Sequence, residues 1–140
     1  MYHIAQVNIG RILAPLDDPI MSGFMTRLDE INALAEQSPG FVWRLQTPEG
    51  NATYLRPYDD DRVLINMSVW ESIEALREFV YRTAHAELLR DRYQWFEKFA
   101  GPMLALWWVP VGHFPGFDEA KKRLAHIEAH GPSQFAFTFN

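Results

Sequence analysis

The stretch Arg62-Val-Leu-Ile-Asn-Met-Ser-Val-Trp70 decides the fold, because its β-branched and aromatic residues are typical of a strand. Side chains alternate between the two faces of a strand. One face here mixes an amide and a hydroxyl with large apolar groups, and the other face is apolar throughout: Leu64, Asn66, Ser68 and Trp70 against Val63, Ile65, Met67 and Val69. Since both faces hold large apolar side chains, the sequence predicts a sheet that must be covered on both sides.

The sequence predicts three more strands around this one. Residues 2–9 are rich in Ile and Val and stop at Gly10, residues 41–46 are dense in β-forming residues, and residues 103–111 are almost all apolar. A long polar loop, residues 47–61, separates the second strand from the third. Gln6 and Asn8 lie on the same face of the first strand, so this face also carries amides.

Three helices are predicted between and after the strands. The first begins at Asp18-Pro19, an N-cap followed by proline at the first helical position, and ends at Ser38-Pro39-Gly40. The second begins after the N-cap Ser72, follows an apolar stripe to Gly101-Pro102, and has a candidate break near residues 83–85. A third amphipathic helix covers residues 117–130. The aromatic tail after it is expected to dock, with the partner subunit as one candidate surface.

Composition and charge exclude several classes of protein. The chain has 140 residues, 48% of them hydrophobic and 22% charged, which fits one globular domain over residues 1–140. A net charge of −5 argues against a nucleic-acid partner, because no overall positive field exists to release counterions from phosphates. The chain has no cysteine and no apolar run that could span a bilayer. We therefore expect no disulfide, no membrane partner and a cytoplasmic protein.

The predicted order β-α-β-β-α-β indicates an α+β fold with a ferredoxin-like, four-stranded antiparallel sheet. This core takes in about residues 2–112, and residues 113–140 add a C-terminal helix and tail. Two helices cover one face of such a sheet, so the second face needs a cover. Pairing two sheets face to face would supply it, and we expect a homodimer with the architecture of a dimeric α/β barrel.

Polar and aromatic residues that share one side of the predicted sheet form the main candidate site. His85 lies about four helical turns after Trp70, so its imidazole can face the amides of the strands. Such an imidazole could shuttle a proton or bind an iron cofactor. The alternative is structural, with His85 bonded to a neighbour and Trp70 in the core. The candidate set comprises Asn8, Asn66, Ser68, Trp70, Tyr81 and His85.

Cationic residues supply further candidates. Arg44 on the second strand could hold an acidic or carbonyl-bearing substrate, and Arg82 on the second helix could meet a carboxylate or a propionate. The alternative for each is a polar side chain at the surface or at an interface. His126 and His130 share a helix face at four-residue spacing, but no third ligand accompanies them, so no metal site is predicted.

The segment Trp70-Glu-Ser-Ile-Glu-Ala-Leu-Arg-Glu-Phe-Val-Tyr-Arg-Thr-Ala-His85 resembles a pattern of the dimeric α/β-barrel superfamily, which includes antibiotic-biosynthesis-type and haem-degrading monooxygenases. Stretches across nearly the whole chain look closer to an uncharacterised domain-of-unknown-function family in that superfamily: Ile4-Ala-Gln-Val-Asn-Ile-Gly10, Pro39-Gly-Phe-Val-Trp-Arg-Leu-Gln46, Phe79-Val-Tyr-Arg82 and Leu106-Trp-Trp-Val-Pro110. The third of these stretches, with His85, also looks similar to the haem-containing spheroidene monooxygenase branch. That similarity would imply an oxygenase with His85 as a candidate axial ligand.

The resemblance implies a small-molecule monooxygenase that takes an apolar or aromatic substrate between helices and sheet. In the cofactor-independent oxygenases and the haem degraders of the superfamily, an Asn on the first strand and a Trp at the end of the third belong to the site, and Asn8 and Trp70 match those positions. Asn66 and Tyr81 would line the pocket, and His85 would be the acid–base group or the iron ligand. The expected cofactor is none, or haem. The alternative is a non-catalytic ligand-binding or stress-associated dimer.

Overall fold

The computed structural model of the chain describes residues 1–46, 58, 60–98 and 103–139. Most of the polar loop predicted after the second strand lies outside the described residues, and so does the Gly101-Pro102 end of the second predicted helix. The described residues form an α+β fold built on one four-stranded antiparallel sheet. The predicted fold class is confirmed at this level.

All four predicted strands are present. They are β1 (Tyr2–Arg11), β2 (Phe41–Arg44), β3 (Val63–Trp70) and β4 (Leu104–Pro110). Their spatial order is β2-β3-β1-β4, and every neighbouring pair is antiparallel. In the central pair, Asn8 lies opposite Asn66 and Gln6 lies opposite Ser68. This register brings the polar side chains of the two strands to the same face of the sheet.

Four α-helices are described, namely α1 (Ser22–Gln37), α2 (Ile73–Arg82), α3 (His85–Arg90) and α4 (Phe117–His130). Asp18 accepts a hydrogen bond from the main-chain N–H of Ile20 at the short 3₁₀ turn that precedes α1. Ser72 accepts one from the main-chain N–H of Ala75 at the start of α2. Both predicted N-caps are therefore confirmed. None of the described helices is long and apolar enough to cross a bilayer.

The candidate break in the second helical region is confirmed. α2 stops at Arg82, and Thr83 has an extended backbone. Its hydroxyl donates to the carbonyl of Phe79 at 2.6 Å and accepts from the main-chain N–H of His85 at 3.2 Å. The threonine hydroxyl thus satisfies a carbonyl at the end of one helix and an N–H at the start of the next, α3.

The prediction that this helical region continues to residue 100 is wrong. After α3 the chain makes one 3₁₀ turn at Arg92–Gln94, and Phe96 then pairs with Ile12 beyond the end of β1. The main-chain N–H of Leu13 donates to the carbonyl of Trp95 at 2.8 Å. These main-chain partners from β1 replace the hydrogen bonds that a longer helix would form, although the apolar stripe itself has helical spacing.

The face of the sheet that carries Gln6, Asn66 and Ser68 is called the amide face below, and it packs against α1 and α2. Large apolar side chains from strands and helices fill the space between them. The buried members of this cluster are Ile4, Ile31, Ala35, Trp70, Leu76, Phe79 and Leu106. One side of the sheet is therefore covered by two helices, as the β-α-β-β-α-β order predicts.

The opposite, apolar face of the sheet is covered by α4 of the same chain. Ala120 and Leu124 of α4 belong to one buried cluster with side chains from three strands, namely Ala5, Val7, Ile65, Met67, Val69, Ala105, Trp107 and Val109. The sequence argument assumed that this face would stay open for a partner subunit. That assumption is wrong for the described residues, because the C-terminal helix buries apolar area that a second sheet would otherwise bury.

The C-terminal tail docks on its own chain. Phe137 and Leu106 exchange main-chain hydrogen bonds of 2.9 and 2.7 Å at the outer edge of β4. The expectation that the tail would not be left in water is thus confirmed, and its docking surface is β4. This short pairing also protects part of an edge strand from association with other chains.

We predict that Leu124→Ala destabilises the whole domain by about 2–5 kcal/mol, because it removes a buried side chain between α4 and the sheet. Leu124 is 4% exposed. The free energy of unfolding is measured by urea denaturation. Ala125→Ser, at an exposed position of the same helix, is the control and should cost about 0.5 kcal/mol. Equal effects of the two changes would show that α4 is not part of the core.

Candidate functional site

A chain of hydrogen bonds crosses the amide face. Gln6 Nε2 donates to Asn66 Oδ1 and to Ser68 Oγ, each at 2.8 Å. Trp70 Nε1 donates to the same Ser68 Oγ at 2.9 Å. Gln6 and Ser68 are buried, so these bonds are shielded from water. Each bond offsets the free-energy cost of burying a polar side chain in the core. Sequence analysis did not choose Gln6 as a site residue, although the two-residue period already placed it on this face.

Trp70 ends β3 inside the aromatic core. It is 1% exposed. Phe41 meets it edge-on at 5.5 Å between ring centroids, and Phe79 stacks on it at 5.1 Å. The indole contacts both of these rings, and its N–H donates to Ser68. Trp70 is therefore a closely packed core side chain beneath α2.

His85 starts α3 and is half-buried beside Phe79, at 5.1 Å between ring centroids. Its Nδ1 lies 3.1 Å from the carbonyl oxygen of Val80. Because a carbonyl only accepts hydrogen bonds, the neutral ring must carry its proton on Nδ1, which leaves Nε2 as a lone-pair acceptor. Burial lowers the pKa of His85 below its ordinary value near 6.5, and the hydrogen bond to Val80 opposes this only in part. The imidazole is therefore neutral at pH 7.

The Nε2 atom of His85 makes no hydrogen bond with the residues that the structure describes. Asn8 is also half-buried, and its side-chain amide has no hydrogen-bond partner in the described part of the chain. Asn8 lies directly between Asn66 on β3 and Leu104 on β4. These two residues thus offer one proton acceptor and one amide on the helix-covered side of the sheet.

Two of the other predicted site residues, Tyr81 and Arg82, lie at the surface, whereas Arg44 lies opposite Ser68 on the amide face. Tyr81 is 49% exposed, and its ring rests on Phe139 of the tail. The side chain of Arg82 is 74% exposed and lies 3.6 Å from the carboxylate of Glu78. Arg44 is bonded to Glu36 of α1 at 2.8 Å. The surface alternative given for Arg82 matches its observed environment, whereas Arg44 is held by an ion pair with its side chain only 10% exposed.

The described residues around His85 do not fit a haem. The space between the helices and the sheet is filled by Trp70, Leu76 and Phe79, which belong to one buried cluster. Two grooves of about 740 and 560 Å³ lie at the edge of β4, and their described lining residues do not include His85. A macrocycle would have to displace this packing, at a large cost in buried area. We therefore derive no step through iron.

Sequence analysis missed a cluster at the outer edge of β4. Glu119 in the first turn of α4 accepts two hydrogen bonds, from Trp107 Nε1 at 2.7 Å and from His113 Nε2 at 2.6 Å. Both bonds stand beside the groove of about 560 Å³. The sequence offered one signal, a carboxylate in the first helical turn, where the helix dipole favours negative charge.

The histidine pair on α4 is a local contact. The rings of His126 and His130 lie 4.7 Å apart, and His126 also packs on Phe135 at 4.7 Å. Among the described residues, no group of three or more His, Asp or Glu side chains could hold a metal ion.

Comparison with solved structures shows one similar fold. The NE2512 protein of unknown function from Nitrosomonas europaea superposes with a TM-score of 0.54 at 10% sequence identity, over 83% of this chain and 97% of that chain. At this identity the likeness supports the fold alone. No curated protein matches the chain.

The family to which the chain belongs is shown by its sequence over almost its whole length. Residues 3–140 match a family model described as a domain of unknown function. This agrees with the kind of family that the four quoted stretches resemble, and it brings no reaction with it. The chain is therefore a member of the family Domain of unknown function (DUF3291).

Proposed function

We propose that this protein is a small-molecule enzyme of the oxygenase type that works without a bound cofactor and uses neutral His85 as its general base. The observation that carries this proposal is the Nδ1 hydrogen bond to Val80, which fixes the tautomer with an unpaired acceptor at Nε2. The resemblance to cofactor-independent oxygenases supports the reaction type. The family and the solved structure supply no activity of their own.

The step assigned to His85 is a proton transfer. Nε2 takes a proton from an acidic O–H or C–H group of the substrate, and the imidazole becomes an imidazolium while the substrate keeps the electron pair. The electron-rich carbanion can then form a C–O bond to dioxygen, and the peroxide takes up the proton from the imidazolium. Its O–O bond breaks as water leaves with the second hydrogen of the same carbon, so a CH₂ group becomes a carbonyl in a four-electron oxidation by dioxygen. The half-buried position strengthens each polar contact in this step.

Because Trp70, Leu76 and Phe79 fill the space under α2, a substrate would meet His85 at its half-buried surface on α3. Phe79 contacts the imidazole ring, and Leu88 of α3 packs against the same buried cluster, so an apolar or aromatic substrate is favoured. The amides of Asn8 and Asn66 would hold the substrate oxygen only for a substrate that reaches from His85 to β1 and β3. Tyr81, Arg82 and Arg44 would act at most at the margin of this site, because the first two are exposed and the third is bonded to Glu36.

A non-catalytic ligand-binding protein is the second candidate. The hydrogen bonds of Gln6, Ser68 and Trp70 are completed within the chain, which is what a purely structural polar core needs. This observation favours a structural role for Trp70. Variants of His85 and Asn8 therefore distinguish the oxygenase from the non-catalytic ligand-binding protein.

We predict that His85→Ala abolishes substrate-dependent oxygen uptake, measured with an oxygen electrode and a panel of anthrones, quinols and naphthols. The wild-type rate should fall at acidic pH as His85 becomes protonated. Because burial lowers the pKa of His85, this fall should come below the usual imidazole value near 6.5.

His130→Ala is the matched control, since this histidine is exposed on α4, and it should retain wild-type uptake. Urea denaturation of both variants checks that the fold survives. The oxygenase proposal fails if no compound in the panel supports uptake, or if uptake continues in folded His85→Ala at the wild-type rate.

We also propose that the chain associates as a homodimer. The β-α-β-β-α-β order with strands arranged as β2-β3-β1-β4 is that of a ferredoxin-like sheet, which supports the superfamily placement and hence the dimer. Face-to-face pairing in a barrel would require α4 to leave the apolar face, so we propose that the dimer pairs through another surface.

Light scattering at micromolar concentration tests this association. The chain has a mass of 16.3 kDa, so a dimer should scatter as about twice that mass. A measured mass near 16 kDa that is independent of concentration would exclude the homodimer.

A further inference from the structure

We propose that the groove between the outer edge of β4 and α4 binds a small aromatic anion. This site lies at the edge of the sheet and along α4. His85, in contrast, is the first residue of α3, on the side of the amide face. The inference therefore goes beyond the proposed function and does not depend on it. The described residues that line the groove are Trp108, Val109, Pro110, His113, Glu119, Lys122, Arg123 and Phe135.

The size and the walls of the groove fit a ligand of one or two fused rings. Its volume is about 560 Å³, within the range of about 300–1,000 Å³ that small-molecule sites occupy. Trp108 and Phe135 line it and are 44% and 40% exposed, although both are large apolar side chains. Trp108 offers an exposed ring on which an aromatic ligand can stack, and the exposed part of Phe135, whose ring already contacts Arg123 and His126, would be removed from water with it.

Cationic groups that lack carboxylate partners stand in the same groove. Lys122 is exposed on α4 and forms no ion pair with the described residues. Arg123 has no carboxylate within ion-pair distance in the described part of the chain. Lys122 and Arg123 thus place two positive charges against the one carboxylate of Glu119 in this groove, and an anion beside the aromatic walls would balance the excess charge.

Arg123 is held in position before any ligand binds. Its Nη1 donates to the carbonyl of Phe135 at 2.8 Å, and its guanidinium lies 3.8 Å from the centroid of the Phe135 ring. Partial burial lowers the pKa of Arg123, but the side chain stays charged at neutral pH. A fixed, partly desolvated guanidinium with unused N–H groups binds a carboxylate or sulfonate more strongly than a mobile surface arginine.

The carboxylate of Glu119 lines the same groove and offsets part of this positive charge. Both of its oxygens accept hydrogen bonds, one from the buried indole of Trp107 and one from His113. These bonds fix His113 at the rim of the groove, and Glu119 forms no ion pair with Lys122 or Arg123.

The test uses 2-naphthoate as the anionic probe and 2-naphthalenemethanol as its neutral counterpart, titrated by calorimetry into the wild-type chain. We expect saturable binding of one naphthoate per chain, at least about tenfold tighter than the alcohol, and weakened by added salt. The indole N–H resonance of Trp108 should shift in the same titration. Equal affinity for the acid and the alcohol, or no saturable binding, would overturn the proposal.

Matched variants separate the roles of charge and ring. Lys122→Gln and Arg123→Gln should each lower naphthoate affinity about tenfold and leave the alcohol unchanged, whereas Trp108→Ala should weaken both probes. Lys122 makes no contact that folding needs, so its variant gives an answer even if Arg123→Gln loosens the tail. Arg82→Gln, on α2, should bind naphthoate like the wild type. Loss of binding in this control, or none in Lys122→Gln, would contradict the assignment.

Discussion

The constraint on which the structure depends is that both faces of the central sheet are apolar and must be covered. β1 and β3 carry large side chains on each face, and the described residues on both faces are almost completely buried. α1 and α2 cover the amide face, and α4 covers the apolar face from the same chain. The C-terminal segment is therefore part of the core, and the chain meets within one subunit a requirement that a dimeric barrel meets with two.

The arrangement of helices also decides where chemistry can occur. The Thr83 hydroxyl ends α2 and starts α3, and this break brings the His85 ring back toward the carbonyl of Val80. On the other side, the turn into α4 sets Glu119 between Trp107 and His113. Two unrelated regions of unpaired polar groups result, one over the sheet and one at its edge. In each region one side chain is held by a main-chain carbonyl, His85 by that of Val80 and Arg123 by that of Phe135.

Sequence alone predicted the strands, the caps and the break at Thr83, because two-residue periods and capping residues are local signals. It failed for Trp95 and Phe96, whose apolar spacing is helical while their main-chain partners come from the distant end of β1. The sequence did not indicate which face of the sheet α4 would cover. The pattern of an amphipathic helix predicts that one side of the helix is buried, but it does not identify the surface that buries it. For the same reason Tyr81 and Arg82 were assigned to a pocket, although they lie on the outer side of α2. Tertiary contacts carry the information that periodicity lacks.

Removal of α4 and the tail tests most directly whether the C-terminal helix completes the core. A chain that ends at Gly112 keeps all four strands and both helices of the amide face, but its apolar face loses Ala120 and Leu124. We expect this shortened chain to lose cooperative urea unfolding and to bind strongly a dye that reports exposed apolar surface. A shortened chain that unfolds cooperatively at the same urea concentration as the whole chain, without added dye binding, would contradict it.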